Sequence, residues 1–351
     1  MTASESDVFE LDSRYSTTRR VSKFPPAFSN NQHSKIRKHL LLPSELKRKA
    51  ESGLRTRNYY KHNDIHAPLI SVIIVVFNGE LYLENAIKSI INQDYENIEL
   101  IIIDGASTDS TLDIIQKYND QIDYWVSEPD TGIYNAFNKA VTCMSGDWAI
   151  FLGADDYFWN NKSVSESVGR LATINDSFKI VFGDVYSVNK KGETIELLSS
   201  NWNKKKFLTQ GIYFSHQGVF HHRSLFETHG YFNEQLSIAS DYEILLRELK
   251  DNDAKYLKGT VIAAMRQGGI SGEDRNSIAV FNEFIIAQQR NLKGGIHWSL
   301  RWMILKAHIK NILYETLGET KTKKVINRYR ILTGRPRKWI PYSESGEKKE
   351  E

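Results

Sequence analysis

The chain of 351 residues is long enough for one large or two modest cores, and 40% hydrophobic with 25% charged residues is the balance of an ordinary folded domain rather than a disordered or fibrous chain. A single cysteine, Cys143, excludes an internal disulfide and a cysteine zinc cluster, which suits a reducing compartment. The acidic start MTASESDVFELDS does not read as a signal peptide, and no stretch reaches the roughly 18 apolar residues of a membrane span, so a cytoplasmic location is expected, with any membrane contact peripheral on the inner face of the cytoplasmic membrane.

Residues 1–66 are polar and basic, contain Pro25-Pro26 and show little apolar periodicity, which predicts a partly disordered extension with one helix near 43–52. The pattern changes at Pro68. SVIIVVFN (71–78) is a β-branched run expected of a strand buried on both faces, and GELYLENAIKSIINQ (79–93) then carries apolar residues at helical spacing. IELIIIDG (98–105), IDYWVSE (122–128) and DWAIFLGADD (147–156) predict three further strands. STDSTLDIIQKY (107–118) and DTGIYNAFNKAVTCM (130–144) predict the helices between them. Such alternation predicts an open, mostly parallel α/β sheet flanked by helices, which binds ligands at the carboxyl ends of its strands. Beyond residue 156 the runs 179–186, 211–222 and 254–265 predict strands, partly antiparallel, with helices near 163–174 and 241–252.

Asn78, Asp104, Glu128 and the pair Asp155–Asp156 each close or follow an apolar run, so four strand ends in succession carry polar groups toward one site. Adjacent carboxylates repel, and a hard cation such as Mn²⁺ or Mg²⁺, which takes carboxylate and phosphate oxygens, would relieve that repulsion. A solvated turn is the plainer account of an isolated Asp-Asp pair; its place beside three other polar strand ends favours the metal.

Three blocks carry a resemblance. SVIIVVFNGELYLENAIKSIINQDYENIELIIIDGASTDST, SEPDTGIYNAFNKAVTCMSGDWAIFLGADDYF and SHQGVFHHRSLFETHGYFNEQLSIASDYEILLREL stand in the order and spacing of the family 2 glycosyltransferases of the GT-A fold, which the chain resembles over about 69–272. SEPDTGIYNAFNKA is most similar to enzymes of bacterial surface polysaccharide synthesis. The resemblance implies a nucleoside-diphosphate sugar donor, UDP-linked by preference, and a saccharide or lipid-linked acceptor. It implies donor binding by Val75, Phe77, Asn78 and Glu80 around the nucleoside, Asp104 at the nucleobase, Gly132 and Lys139 near the phosphates, and Asp155 at the sugar or ribose. Asp156, with Asp155, matches the metal motif, although Gly153 stands where an acid often leads it. His216 and Gln217 match a His-Gln pair near acceptor and donor sugar, and Arg266 with QGGISG (267–272) resembles a segment that closes over the donor.

Sugar transfer with inversion needs a base to take the proton of the acceptor hydroxyl as it attacks. Asp241 matches the family's catalytic acid position, with Ser240 replacing the first member of its usual Glu-Asp pair and Glu243 in reserve; taken alone Asp241 is better read as a helix-dipole charge, and the upstream His216-Gln217 pair at the family's spacing favours catalysis. The His221–His222 pair is not read as zinc, since adjacent strand residues face opposite ways. Nor does the Asp pair suit glycoside hydrolysis, whose carboxyls stand about 5–9.5 Å apart across the bond.

Between Lys293 and Lys338 twelve Lys or Arg face only Glu315 and Glu319. Within that segment Trp298, Trp302, Leu305, Ile309 and Ile312 share one helical face, as on a helix lying on an anionic membrane surface through 296–338. Packing on the core or a homo-oligomer interface is the other account of this face, and nucleic acid has no further support in the sequence. The expected organisation is an N-terminal extension (1–66), a GT-A domain (67–290, with a nucleotide-sugar half at 67–157 and an acceptor half at 158–290) and a basic helical C-terminal region (291–351). The rival readings are a nucleotidyltransferase on a related fold, disfavoured by the absence of a basic residue in FNGELYL, and a non-catalytic nucleotide-sugar-binding scaffold.

Overall fold

The β-branched runs lie side by side in the middle of one sheet, where residues apolar on both faces must go. The computed structural model describes residues 8–11, 20–26, 32–64, 67–173, 177–268, 277–293 and 297–334. In it a ribbon of β1 (Val8–Glu10) and β2 (Arg20–Ser22) precedes a ten-stranded sheet. The first half of that sheet contains β3 (Ala50–Ser52), β4 (Ile70–Val76), β5 (Ile98–Asp104), β6 (Tyr124–Ser127) and β7 (Trp148–Gly153). Helices α1 (Leu83–Ile91), α2 (Thr111–Lys117) and α3 (Ile133–Cys143) connect β4 through β7. The second half adds β8 (Tyr157–Phe158), α4 (Ser163–Leu171), β9 (Ile180–Val188), β10 (Thr194–Leu198), α5 (Lys204–Gln210), β11 (Val219–His222), α6 (Arg223–His229), α7 (Ser240–Leu249) and β12 (Lys255–Arg266). Two helices follow, α8 (Ser277–Asn291) and α9 (Trp298–Leu332).

The strand order is β3-β6-β5-β4-β7-β11-β9-β12-β8, with β10 beside β9. Strands β4 to β7 are mutually parallel, and Ile74 of β4 aligns with Ile102 of β5 and Leu152 of β7. From β4 the chain builds outward through β5 and β6 and then returns to its other side as β7, which opens a crevice at the carboxyl ends. The antiparallel character expected of the second half resides in β8, β10 and β11, while β9 and β12 stay parallel to each other. Alternate side chains of β4 enter separate cores: Ile73 packs with α3 residues such as Phe137 and Val141, whereas Val72 and Ile74 pack with α1 residues such as Leu83 and Ile87.

Two expectations change. Residues 43–52 form no helix; their last three become edge strand β3, antiparallel to β6. Run 211–222 contributes only β11, because residues 216–218 turn in a 3₁₀ helix before the strand begins. The N-terminal segment also packs firmly along the sheet. Ile36 and Leu54 are buried, Arg55 meets Glu99 in a buried ion pair, and Lys61 meets Asp123 at 3.1 Å. Both acids lie on or beside parallel strands where burial penalises an unpaired charge, so the strap's cations complete them.

Among the described residues no helix is long and apolar enough to cross a membrane. Helix α9 breaks at Gly318, whose φ of 75° lies outside the helical region. It buries Leu300 and Ala307 and is tied to α5 by Ser299 Oγ, which donates to the Thr209 carbonyl at 2.8 Å. The predicted face of Trp298, Trp302, Leu305, Ile309 and Ile312 stands in solvent.

Candidate functional site

The loops after β4 and β5 are laced together at the crevice. Asp104 ends β5 fully buried; it accepts from Ser127 Oγ at 2.6 Å and from the backbone N–H and hydroxyl of Ser107. Ser107 Oγ accepts the Asn78 N–H at 2.7 Å, and Asn78 Oδ1 accepts the Thr108 N–H at 2.9 Å. Asn78 adopts a left-handed φ of 52°, which asparagine tolerates because its amide bonds locally. Glu80 accepts the Ser110 N–H through Oε2 at 3.0 Å. Thus Asn78, Glu80 and Asp104 come together, with Asp104 beneath the loop surface as its internal tie. Above them the Phe77 ring is 65% exposed, a flat apolar surface at the mouth, while Val75 is half-buried in the core below.

Gly132 opens α3 with a φ of 137°, a conformation that disfavours any side chain, and its N–H donates to Asp130 Oδ1 at 3.0 Å. A Cβ there would meet nothing within 4 Å, so this backbone faces open space. Lys139 lies two turns further along α3, held by Glu128 at 2.8 Å and by the Pro129 carbonyl at 2.9 Å; Glu128 also accepts from Arg48 Nε at 2.7 Å.

Beyond β7 the two aspartates turn inward. Asp156 is 3% exposed, and its Oδ1 accepts the Arg266 N–H at 2.8 Å. Arg266 Nε donates to the Asp155 carbonyl at 3.0 Å, Nη1 donates to the Lys190 carbonyl at 2.9 Å, and the guanidinium lies 4.3 Å from the Tyr82 ring centre. Arg266 therefore bolts the aspartate turn to the β9–β10 hairpin and α1's approach. A Cβ built on Gly153 would stand 2.6 Å from Asp156 Oδ2 and 2.9 Å from Asp155 Oδ1. Both carboxylates thus close over the space that the missing side chain leaves. Burial, reinforced by the Asp155 charge, pushes the Asp156 carboxyl up to about 7. Two converging hard oxygens, one with its ionised form suppressed by desolvation, fit a divalent cation whose remaining ligands come from outside the protein. Among the described residues no three acidic, His or Cys side chains gather to complete such a site alone.

Gln217 and His216 join this cluster to the second. The Gln217 side chain hydrogen-bonds Asp156, while the neighbouring His216 ring stacks on Phe151 at 5.7 Å and lowers the cost of charge on Asp241. Asp241 sits in the first turn of α7, accepts the Tyr242 N–H at 2.7 Å, and lies 3.5 Å from the Tyr134 hydroxyl. Desolvation raises its carboxyl above the usual range, with His216 partly opposing. Desolvation equally lowers the His216 imidazole, whose buried Nε2 has no protein hydrogen-bond partner. Ser240, in the place of an acid, accepts the Asn233 N–H at 2.6 Å through Oγ. Glu243 is engaged by Arg247 and by Asn291 Nδ2 at 2.8 Å, which makes it a structural partner of α7. His222 caps α6, and His221 is buried beside Phe151. Of the QGGISG loop only Gln267 and Gly268 fall within the described residues.

Tyr134 is a site residue that sequence reading missed. Its pattern with Phe137 at i+3 reads as an ordinary core stripe, and only the return of α7 from more than a hundred residues away brings Asp241 to its hydroxyl.

Residues 71–229 match the family model described as glycosyl transferase family 2. A Rickettsia felis protein named only as an uncharacterized glycosyltransferase is 30% identical over 199 residues, 53% of this chain and 32% of its own length. This chain therefore spans about a third of that relative. A Mycobacterium tuberculosis PGL/p-HBAD biosynthesis glycosyltransferase is 27% identical over 216 residues, 58% of this chain and 80% of its own. Among solved structures, S. aureus TarS in complex with UDP-GlcNAc superposes with a TM-score of 0.50 at 17% identity, covering 71% of this chain and 73% of that one, a likeness of fold.

Proposed function

We propose that this chain, whose residues 71–229 match the model of glycosyl transferase family 2, is an inverting, metal-dependent glycosyltransferase that moves a sugar from a nucleoside-diphosphate donor to a hydroxyl of a saccharide or lipid-linked acceptor in surface polysaccharide synthesis. One observation carries this reading: Asp155 and Asp156 converge over Gly153, and the adjacent His216 and Gln217 link them to Asp241. The relative from M. tuberculosis bears a biosynthetic glycosyltransferase name and TarS binds UDP-GlcNAc, which supports a UDP-linked donor.

In this mechanism Phe77 offers its exposed ring to the base, with Val75, Asn78 and Glu80 shaping the nucleoside loop and Asp104 holding that loop or reading the base at its edge. The open backbone at Gly132, with Lys139 behind it, faces the phosphates. Asp156 and Asp155 would hold Mn²⁺ or Mg²⁺, and Asp155 also reaches the sugar or ribose. When bound, that cation neutralises charge growing on the departing diphosphate. Asp241, ionised, accepts the acceptor hydroxyl's proton as its oxygen attacks the anomeric carbon from the face opposite the diphosphate. The old C–O bond breaks with its electron pair leaving on the nucleotide, so a single displacement inverts the centre. Its raised proton affinity makes Asp241 a stronger base than a solvated aspartate, and the Tyr134 hydroxyl orients it. His216, Gln217 and Arg266 frame the sugar between the two acids.

In this reading the exposed face of α9 meets an anionic membrane surface where a lipid-linked acceptor resides, with the protein peripheral on the inner membrane face. Support comes from an open cleft of about 470 Å³ at its start, lined by Asn203, Lys205, Lys206, Gln210, His297 and Trp298 among others and by no acid.

The test pairs two variants with thermal-shift and turnover measurements on a panel of nucleotide sugars with and without Mn²⁺. Asp241→Asn is expected to abolish turnover with donor affinity intact, and Asp156→Ala to remove the Mn²⁺-dependent part of the donor-induced stabilisation. A fully active Asp241→Asn enzyme refutes the base, and equal losses with and without Mn²⁺ refute the metal site.

A further inference from the structure

We propose that α8 is a splint for the base-bearing segment and that Glu283 is a positioning residue of the transfer reaction, although it lies outside the region matched to the family. This inference rests on Asp241 being the base.

Residues 237–239 lead directly into the first turn of α7, where backbone N–H groups lack intrahelical partners. Ala239, at the cap position, has no side chain to accept them. Glu283, from another helix, instead holds the three N–H groups that lead into this turn: the N–H of Ser237 donates to Oε1 at 2.8 Å, and those of Ile238 and Ala239 donate to Oε2 at 2.8 Å each. A carboxylate here also complements the positive end of α7. The same helix grips the segment on both sides of Asp241. Arg290 donates to Gln235 Oε1 at 2.8 Å, Gln288 Nε2 to the Tyr242 hydroxyl at 3.1 Å and Asn291 to Glu243 at 2.8 Å.

Helix α3 holds the beginning of this stretch. Asn138 exchanges two hydrogen bonds with the Phe232 backbone, and Asn135 and Asn138 both donate to Glu234. Asp241 is therefore suspended between the donor-side helix α3 and the later helix α8, and the three residues just before its turn are fixed by Glu283. A displacement of about 1 Å at a reacting group costs on the order of 100-fold in rate, and the Glu283 hydrogen bonds to residues 237–239 bear on Asp241 rather than on the donor-side strand ends. The helix itself is held by buried Phe284 and Ala287, so removing the carboxylate leaves its packing in place.

The experiment uses the full chain with Mn²⁺ and whichever of UDP-glucose, UDP-GlcNAc, UDP-galactose and GDP-mannose turns over fastest to water. Glu283→Ala is expected to lower kcat by about 10- to 100-fold with the donor KM unchanged. Glu283→Gln, which keeps an acceptor oxygen, should fall between it and the native enzyme. Amide hydrogen exchange in both variants should quicken at 235–243 and stay native at 104–111 and 153–156. A native kcat in both variants, native exchange at 235–243, or a parallel rise in donor KM overturns the inference. If the alanine variant does not fold, the glutamine variant decides by the same criteria. An active Asp241→Asn enzyme would instead overturn the base itself, whatever Glu283 does.

Discussion

The two basic ends of the chain resolve in opposite ways. The N-terminal strap, residues 32–64, turns its cations inward: Arg55 onto Glu99, Lys61 onto Asp123 and Arg48 onto Glu128. Helix α9 instead keeps its apolar face in solvent, with Trp298 70% exposed and Lys306 set 5.3 Å from the Trp302 ring. What separates them is the neighbour. The first is laid along a sheet that buries acids and needs countercharges, whereas the second packs only part of its length, through Leu300 and Ala307, and leaves its Trp298 and Trp302 face to solvent. Positive charge in a sequence is therefore structural or interactive according to whether the core beneath it is acidic.

The largest test of this contrast is Arg55→Ala. It leaves Glu99 buried without its cation, and a loss of about 3–5 kcal/mol in urea unfolding is expected; a loss below about 1 kcal/mol would place the strap among surface ornaments. Lys38 gives a smaller, pH-dependent effect. Burial lowers its ammonium from 10.5 to about 8, partly opposed by Glu227 and Glu99. Between these values the unfolded chain binds more protons than the folded one, so native stability rises with pH across about 8 to 10.5. The stability of the native protein relative to Lys38→Met should climb across that window by on the order of 1–2 kcal/mol, after discounting for partial exposure, and a flat difference in unfolding free energy refutes it. The smallest change in stability belongs to the other end. Trp298→Ser with Trp302→Ser should alter unfolding by less than about 0.5 kcal/mol yet abolish sedimentation with vesicles of anionic phospholipid. Undiminished sedimentation would show that this face does not meet lipid.

Much of the donor half is legible in the sequence because its physics is local. Continuous β-branched runs such as Val72–Val76 announce strands buried in the sheet, and the polar residues that follow such strands announce the crevice. Strand β3 is not legible, since AES carries no apolar alternation and its place is set by pairing with β6. Glu243 looked available for chemistry, and only α8 and Arg247 reveal that it is engaged. Asp104 reads in the sequence as an acid at a strand end, and its tie to Ser127, twenty-three residues later, at 2.6 Å is visible only in the fold. In each case the deciding partner comes from a distant segment. Gly153 shows the converse: as a departure from a motif it looked like a lost ligand, and in space it is the vacancy into which two carboxylates turn.

Strand β11 pairs with β7 on one side and β9 on the other, so the two halves of the sheet are rungs of one ladder. Rotation of one half against the other would have to shear these backbone hydrogen bonds and the aromatic layer at Phe151 and Phe220 behind them. Among the described residues the two halves of the sheet therefore share one continuous frame. Access to the crevice is governed by the segments hung from a rigid frame, and a change of substrate can be made by replacing those segments while the frame keeps its register.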